Sequence, residues 1–451
     1  MVPCEVSMPR LPGPQSQLML DELRRYVIAQ PQPFAVSLSN SKGMFLATVD
    51  GQLILDWAGY YGSRLLGHNH PGMFESEYLQ RLILAANNKV PNPDYLTEEC
   101  LAYYRLAWDL AAACIRNGPL EIYVVNSGAE AVENLMKYLI ARHGEKLRSA
   151  QKTVKTRRFV YFDRGFHGRT LGALNVTHLT HNSRVTDGFS DLFPGNLRLS
   201  FPHLDHSRTS SENEQELGRC LDEVETALQT YRDEVVGVLV EPIQGAGGHR
   251  LAPMRFFQGL SQLCHDYDTY LAFDEVQTAG GQCGRVFAVD LMELPYPPEC
   301  IAAAKKLGNG VIYMRQPLQE LGVLDSTWGG SLADMVRVVQ EFKIVDELKL
   351  QSQVDQKATA LVSVLTELEA RHAATIYNVR GLGLYQGFSL RHPEDRDRLM
   401  DFALKFEDLL LLGAGLQTIR LRPPIDVTLA DIQEFGFRLD RSLTRLSEFP
   451  R

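Results

Sequence analysis

The segment YLAFDEVQTAGGQCGRV (residues 270–286) passes from an apolar run directly into two acidic residues, and IAAAKKLGNG (301–310) passes from the next apolar run into two lysines. Short apolar runs of this kind are typical of buried strands in a parallel sheet. A carboxylate or an ammonium group at the end of such a strand costs free energy unless it has a partner. The two segments therefore predict a ligand-binding site beyond the carboxyl ends of neighbouring strands.

The composition indicates which kinds of binding partner the protein lacks. The chain has 451 residues, 45% of them hydrophobic, which is enough for two or three domains. Its net charge is -9 and it has no basic cluster interleaved with aromatic residues, so we expect no nucleic-acid partner. It has neither a long uncharged apolar run nor a signal-peptide pattern, so we expect no membrane partner and a cytoplasmic location. Seven scattered cysteines without a CxxC pair predict free thiols and no metal site.

The middle of the chain alternates apolar runs with helical periodicity, which is typical of a mostly parallel sheet covered by helices. We expect strands at 121–125, 235–243, 269–276 and 300–306. Ser127 and Glu130 predict a capping box after the first strand. Beyond residue 331 long helical patterns dominate, followed by a glycine-spaced strand at 378–390 and a last helix capped at Thr428. The polar segment 206–216 predicts an exposed loop.

Charged and small residues follow several of these strands. The turn formed by Ser127, Gly128 and Ala129 opens a helix whose free N–H groups favour a phosphate. Asp274 ends one strand and Lys305 ends the next, so both can reach one ligand. Pyridoxal phosphate requires such a set, because the lysine forms a Schiff base and the aspartate keeps the pyridine nitrogen protonated. Each element also has an explanation that needs no cofactor: the turn could be a plain helix cap, the acidic residues a salt-bridged pair, and the lysines a solvated surface pair.

Seven motifs together resemble the class III, or ω-, aminotransferases of PLP fold type I, and the resemblance runs from LDWAGYYGSRLLGHNHP to the last helix. These motifs are NSGAEAVENLMK, GFHGRT, VEPIQG, AFDEVQT, AAAKK, DSTWGG and IRLRPP. Within the family, STWGGSLADMVR and LRPPI look most like the lysine 6-aminotransferases, and the 4-aminobutyrate aminotransferases are a more distant likeness. The resemblance implies an α/β fold, in which residues 71–330 form a large domain with a mostly parallel seven-stranded sheet between helices. Residues 1–70 and 331–451 would form a smaller α+β domain.

The resemblance also implies residue roles. The residues expected to bind pyridoxal phosphate are Ser127, Gly128, Ala129, Phe166, His167, Glu241, Asp274, Gln277, Lys305 and, from a neighbouring subunit, Thr327. Lys305 and Asp274 would be catalytic, while Arg169 and Arg420 would bind substrate carboxylates. Alternatives stay open: Lys306 could replace Lys305, Arg422 could replace Arg420, Phe166 could be a core residue, and Arg169 could only support its loop.

Two positions depart from the pattern. Lysine, ornithine and 4-aminobutyrate aminotransferases usually have, after EPIQ and one small residue, a glutamate that covers the carboxylate-binding arginine. This chain has Ala246 at that position, and 7,8-diaminopelargonic acid aminotransferases also have a small residue there. The second departure is Asp325, at a position where the lysine enzymes tend to have asparagine.

The function that the resemblance implies is that of a homodimer with shared sites. It would transfer the amino group of a primary, lysine-like terminal amine to 2-oxoglutarate. The alternatives are other fold type I reactions, namely transamination of a diamine or of a diaminopelargonate-like substrate, decarboxylation or an amino shift, and a non-catalytic protein that binds pyridoxal phosphate.

Overall fold

A computed structural model describes residues 11–189, 192–320 and 322–449 of the chain. The helices are α1 (Pro14–Leu23), α2 (Gly59–Gly62), α3 (Ser76–Asn87), α4 (Glu98–Leu110), α5 (Ala113–Arg116), α6 (Gly128–Ser149), α7 (Leu171–Leu174), α8 (Ser210–Thr230), α9 (Met254–Asp266), α10 (Leu332–Glu347), α11 (Val354–Arg371), α12 (Glu394–Glu407) and α13 (Leu429–Glu448). The strands are β1 (Val36–Lys42), β2 (Phe45–Thr48), β3 (Leu53–Asp56), β4 (Glu121–Val125), β5 (Arg158–Phe162), β6 (Leu197–Leu199), β7 (Val235–Val240), β8 (Ile243–Gln244), β9 (Arg250–Leu251), β10 (Tyr270–Glu275), β11 (Cys300–Ala303), β12 (Gly310–Met314), β13 (Ile376–Leu382), β14 (Tyr385–Leu390), β15 (Leu409–Leu410), β16 (Leu412–Ala414) and β17 (Thr418–Arg420).

The central sheet has seven strands in the order β4-β12-β11-β10-β7-β5-β6. The strand β12 is antiparallel to both of its neighbours, and the other pairs are parallel. Every residue of β7, β11 and β12 is buried, because apolar clusters cover both faces of the sheet. This arrangement confirms the predicted α/β fold with a mostly parallel seven-stranded sheet.

Two smaller four-stranded sheets are built from the ends of the chain. One has the order β1-β2-β3-β15, in which the late strand β15 pairs in parallel with the early strand β3. The other has the order β13-β14-β17-β16. The first sheet contains strands from both the N-terminal and the C-terminal segment, as expected if the two segments form one small domain. The domain division at residues 70/71 and 330/331 stays a prediction.

Two local predictions were wrong. The segment 378–390 lies in two antiparallel strands, β13 and β14, because Gly383 (φ +54°) turns the chain where a Cβ atom would lie 2.3 Å from the carbonyl oxygen of Gln282. The segment 206–216 contains the start of α8, where Thr209 and Glu212 form a capping box. Its polar character reflects an exposed first turn, since the buried side chains of α8 begin at Leu217.

Other predictions agree with the structure more closely. The first strand occupies residues 121–125, and Thr428 caps the last helix through a capping box with Asp431. The predicted strand 235–243 is shorter, since β7 ends at Val240. Six cysteines among the described residues are free thiols, and Cys4 lies outside them. In the described part of the chain no helix has both the length and the apolar character needed to cross a bilayer.

Candidate active site

The site lies where four strands of the central sheet end. The strands β4, β7, β10 and β11 run in one direction, because β12 is antiparallel to both β4 and β11. A Cβ atom on Gly128 would lie 2.5 Å from Cγ1 of Val276 and 3.3 Å from the Cβ of Ala304. The N-terminus of α6 therefore touches the chain that follows β10 and β11, and only glycine leaves room for this contact.

The start of α6 presents free N–H groups at this edge. The Ser127 hydroxyl accepts a hydrogen bond from the N–H of Glu130 at 3.2 Å, but the Glu130 carboxylate accepts from the N–H of Asn126 at 3.0 Å. The predicted capping box is therefore only half formed, because the returning bond reaches one residue too far. The N–H of Ala131 makes the first helical bond, to the carbonyl of Ser127. The N–H groups of Gly128 and Ala129 precede it and can bind an anion.

Two neighbours orient the buried carboxylate of Asp274. Its Oδ2 lies 2.8 Å from Nδ1 of His167, and its Oδ1 accepts from the N–H of Val276 at 3.0 Å. Glu241 lies nearby and accepts from the N–H of Phe166 at 2.8 Å. Burial and the charge of Asp274 raise the pKa of Glu241 well above its usual range. Asp274 is thus a fixed hydrogen-bond acceptor, which suits a protonated ring nitrogen.

The structure separates the two adjacent lysines. Lys305 has φ +54° and is partly exposed, and its Nζ donates to the carbonyl of Tyr61 at 3.2 Å. Burial, together with Arg420 and Arg422, lowers the pKa of Lys305 to about 8. Lys306 is fully buried, and its Nζ has protein oxygens as hydrogen-bond partners. Lys305 is therefore the lysine that a ligand can reach.

The two arginines of IRLRPP also differ. Arg422 is fully enclosed, and its guanidinium donates to Oε1 of Gln277, lies 3.0 Å from Nδ1 of His249 and stacks over the ring of Tyr385. Arg420 is 8% exposed, and its Nε and Nη1 have no hydrogen-bond partner. Burial and Arg422 lower the pKa of Arg420 to about 9, so the group stays charged at neutral pH. A buried guanidinium without a carboxylate partner is a ready site for an anion.

The remaining predicted residues lie in different surroundings. Gln277 binds protein groups at both ends of its amide, since it accepts from Arg422 and donates to the carbonyl of Tyr61 at 3.1 Å. Phe166 is half-buried beside Glu241, whereas Arg169 and Thr327 are exposed. Asp274, Lys305 and the start of α6 therefore lie at one edge of the sheet.

A strained turn at the site was missed in the sequence. All four residues of α2 have positive φ, with +50° at Tyr60 and +62° at Tyr61, so this segment is a left-handed turn. Each non-glycine residue in this conformation costs about 1–2 kcal/mol. The two glycines that flank Tyr60 and Tyr61 in AGYYGS were the available signal.

The donor set fits pyridoxal phosphate. Free N–H groups lie at a helix start, and a buried carboxylate is fixed on the same edge of the sheet. Lys305 follows a strand at this edge, has a lowered pKa and donates one hydrogen bond from its amine, to the carbonyl of Tyr61. The Arg420 guanidinium, with two unpaired nitrogens, can bind a carboxylate at the same site. No group of three or more metal-ligating side chains was found in the described ranges.

Comparisons with known proteins agree with this geometry. The family described as Aminotransferase class-III matches residues 26–443. L-lysine-epsilon aminotransferase of Amycolatopsis lactamdurans is 29% identical over 95% of this chain and 96% of its own length. 4-Aminobutyrate aminotransferase of Dictyostelium discoideum is 27% identical over 97% of this chain and 90% of its own length.

The structural comparison gives the same answer. Lysine aminotransferase from Mycobacterium tuberculosis, solved in the internal aldimine form, superposes with a TM-score of 0.89 at 26% identity, covering 96% of this chain and 99% of that one. The match to the family spans most of the chain and includes every strand end that forms the site. This protein therefore belongs to the class III aminotransferases, which are enzymes that depend on pyridoxal phosphate.

Proposed function

We propose that this aminotransferase moves the terminal amino group of a lysine-like primary amine to 2-oxoglutarate, giving an aldehyde and glutamate. The observation that carries the proposal is the buried Arg420 guanidinium, whose Nε and Nη1 are unpaired next to Lys305. An acceptor with an α-carboxylate supplies the partner that Arg420 lacks. The lysine donor is supported by the names of relatives that align over nearly the whole chain.

The proposed roles follow from the contacts of each group. Gly128 and Ala129 hold the cofactor phosphate through their N–H groups, and Asp274, oriented by His167, holds the pyridine nitrogen. Bound pyridoxal phosphate supplies the electron sink of the reaction. Lys305 holds the cofactor covalently and, when released, carries the proton that leaves the substrate carbon. Its pKa of about 8 suits both directions of that transfer near neutral pH.

A second candidate is transamination of a diaminopelargonate-like substrate, and Ala246 favours it. The carbonyl of Ala246 accepts from the N–H of Gly415, and a Cβ on the preceding Gly245 would lie 3.3 Å from Nη1 of Arg420. No ion pair among the described residues includes Arg420. Burial raises the pKa of Glu241, the acidic group that acts on Arg420, so Arg420 has no ion-pair partner when a donor without a nearby carboxylate is bound. Such donors should react less readily than in an enzyme with glutamate at this place.

Isotope transfer tests the main proposal. With holoenzyme, 2-oxoglutarate and lysine labelled with ¹⁵N on the terminal nitrogen, the label should appear in glutamate, as NMR would show. Lysine labelled on the α-nitrogen is the matched control and should leave glutamate unlabelled. Transfer of the α-nitrogen, or no transfer from lysine while a diaminopelargonate-type donor reacts, would contradict the proposal and favour the second candidate.

The proposed active unit is a homodimer with shared sites. Thr327 is exposed on the DSTWGG loop, which Asn92 fixes through bonds to the carbonyls of Trp328 and Gly330. Large apolar side chains are also exposed near this loop, including Tyr95 at 71% and Leu96 at 61%. Neighbouring exposed apolar side chains are typical of interaction surfaces, which supports the proposal. A second copy could therefore bury this face and receive the Thr327 hydroxyl at its cofactor phosphate.

Subunit mixing tests the sharing. Thr327→Ala removes a hydrogen bond to a charged group, so we expect kcat/KM to fall by about 10- to 100-fold. Mixing it with inactive Lys305→Ala chains should restore about a quarter of wild-type activity, because half of the dimers are mixed and each has one complete site. If verified mixed dimers stay as inactive as their parents, Thr327 acts within its own subunit.

A further inference from the structure

The left-handed turn Gly59–Gly62 directs two carbonyl groups at the lysine pair. The carbonyl of Tyr61 accepts from Nζ of Lys305 at 3.2 Å, and the carbonyl of Gly62 accepts from Nζ of Lys306 at 3.2 Å. Residues 59 to 62 have φ values of +53°, +50°, +62° and +81°. Two tyrosines keep this conformation only where the surroundings impose it.

One end of the turn is fixed by a buried carboxylate. Asp56 is fully buried and accepts from the N–H groups of Ala58 and Gly59 at 3.0 and 2.9 Å. Arg64 neutralises it with an ion pair of 2.8 Å. These bonds hold the entrance to the turn but do not involve the Tyr61 and Gly62 carbonyls.

The other end is fixed by Lys306 and Tyr385. The Nζ of Lys306 binds three neutral oxygens: the carbonyl of Gln277 at 2.5 Å, the hydroxyl of Tyr385 at 2.8 Å and the carbonyl of Gly62. None of the ion pairs of the described residues includes Lys306. Burial lowers the pKa of Lys306 well below its usual range, so a lysine at this position without a carboxylate partner needs an explanation in the site.

We propose that Lys306, together with the Tyr385 hydroxyl, is a positioning residue for the reaction. Lys306 connects the turn Gly59–Gly62 to Gln277 and so holds the Tyr61 carbonyl in place. This carbonyl is then the acceptor for the Lys305 amine whenever that amine is not bound to the cofactor. The proposal rests on the proposed role of Lys305. In each cycle Lys305 is released and must return, and a fixed acceptor keeps its Nζ at the edge of the site during that interval.

The contacts around the two lysines support a positioning role for Lys306 and a catalytic role for Lys305. Gln277 also donates to the Tyr61 carbonyl, so the backbone and the side chain of Gln277 bind opposite ends of the same network. A Cβ on Gly280 would lie 2.5 Å from Cε of Lys306, so the Lys306 side chain fills its space. Lys306 is therefore closely packed against Gly280, whereas Lys305 is partly exposed.

Tyr385→Phe is the sharpest test, because it removes the hydroxyl and keeps the ring on which Arg422 stacks. Tyr313→Phe is the matched control: Tyr313 is equally buried, and its hydroxyl donates to the carbonyl of Ala107. Amide hydrogen exchange in residues 58–63 of the apoenzyme should become at least about 10-fold faster in Tyr385→Phe. With holoenzyme, kcat should fall about 10-fold while KM for 2-oxoglutarate changes less than about 2-fold. Tyr313→Phe should change neither.

Lys306→Met is a second variant, in which amide exchange should become faster and kcat lower than in Tyr385→Phe. If Lys306→Met does not fold, the result for Tyr385→Phe decides the test. Unchanged exchange and unchanged kcat in Tyr385→Phe would overturn the proposal, as would a loss confined to KM. Borohydride reduction should place the pyridoxyl group on Lys305 in every variant. A different site of labelling would instead refute the proposed role of Lys305, so the two failures are distinguishable.

Discussion

Replacing Lys305 by alanine should lower kcat by at least about 10³-fold, because proton transfer alone contributes about 10²- to 10⁴-fold and the variant also loses the covalent attachment. Borohydride reduction of the wild-type holoenzyme followed by peptide mapping should find the pyridoxyl group on Lys305. The structure favours this lysine because Lys306 is enclosed by three oxygen acceptors. Added ethylamine should partly restore proton transfer in Lys305→Ala.

The same lysine should titrate at an unusually low pH in the apoenzyme. Burial, Arg420 and Arg422 disfavour its charged form and lower its pKa to about 8. The neutral, reactive amine therefore predominates above that pH, whereas an exposed lysine loses its proton only near about 10.4. Modification of Lys305 by an amine reagent should be half-maximal near pH 8. A pyridoxyl group on Lys306, or a Lys305 that reacts like an exposed lysine, would contradict the assignment.

The fold and part of the site follow from the sequence for one physical reason. Parallel strands end at the same edge of a sheet, so residues that follow buried apolar runs must meet there. This argument places Asp274, Lys305 and the start of α6 together without knowledge of the tertiary structure. The S-x-x-E pattern located that helix start, although Glu130 binds one residue beyond its expected partner.

Choices between neighbouring residues rested on the family resemblance, because the residue pattern alone does not separate them. Arg420 and Arg422 are two residues apart and would share a face in a continuous strand, but β17 ends at Arg420. Arg422 then bonds through its N–H to the carbonyl of Trp57, a contact between distant parts of the chain. Lys305 and Lys306 are separated likewise by the positive φ of Lys305. The two glycines that flank Tyr60 and Tyr61 give only a weak indication of the left-handed turn, because its backbone also bonds to residues that the local sequence does not identify, such as Lys306.

Replacing Arg420 by methionine should lower kcat/KM for 2-oxoglutarate by about 10²-fold or more, because an arginine–carboxylate pair makes two charge-assisted bonds worth about 1.5–3 kcal/mol each. The melting temperature should not fall, since the variant removes a buried guanidinium with two unpaired nitrogens. Arg422→Met is the matched control and should lower the melting temperature, because it breaks bonds to Gln277 and His249. If Arg422→Met alone abolished 2-oxoglutarate use, the two arginines would exchange roles.

A substitution at position 246 tests whether the lack of a carboxylate there leaves Arg420 free to bind the carboxylate of a substrate. Ala246→Glu places a carboxylate beside Gly245, whose Cβ position is 3.3 Å from Nη1 of Arg420. The new carboxylate competes for the guanidinium with a strength of about 1–3 kcal/mol, so single-turnover reaction with glutamate should slow by about 5- to 100-fold. Reaction with a plain diamine should become faster, because its carbon chain no longer faces an unpaired cation. In an Arg420→Met background the same substitution should change neither rate, since the coupling between the two positions is carried by that ion pair. An equal effect in both backgrounds would show that the glutamate acts through something other than Arg420.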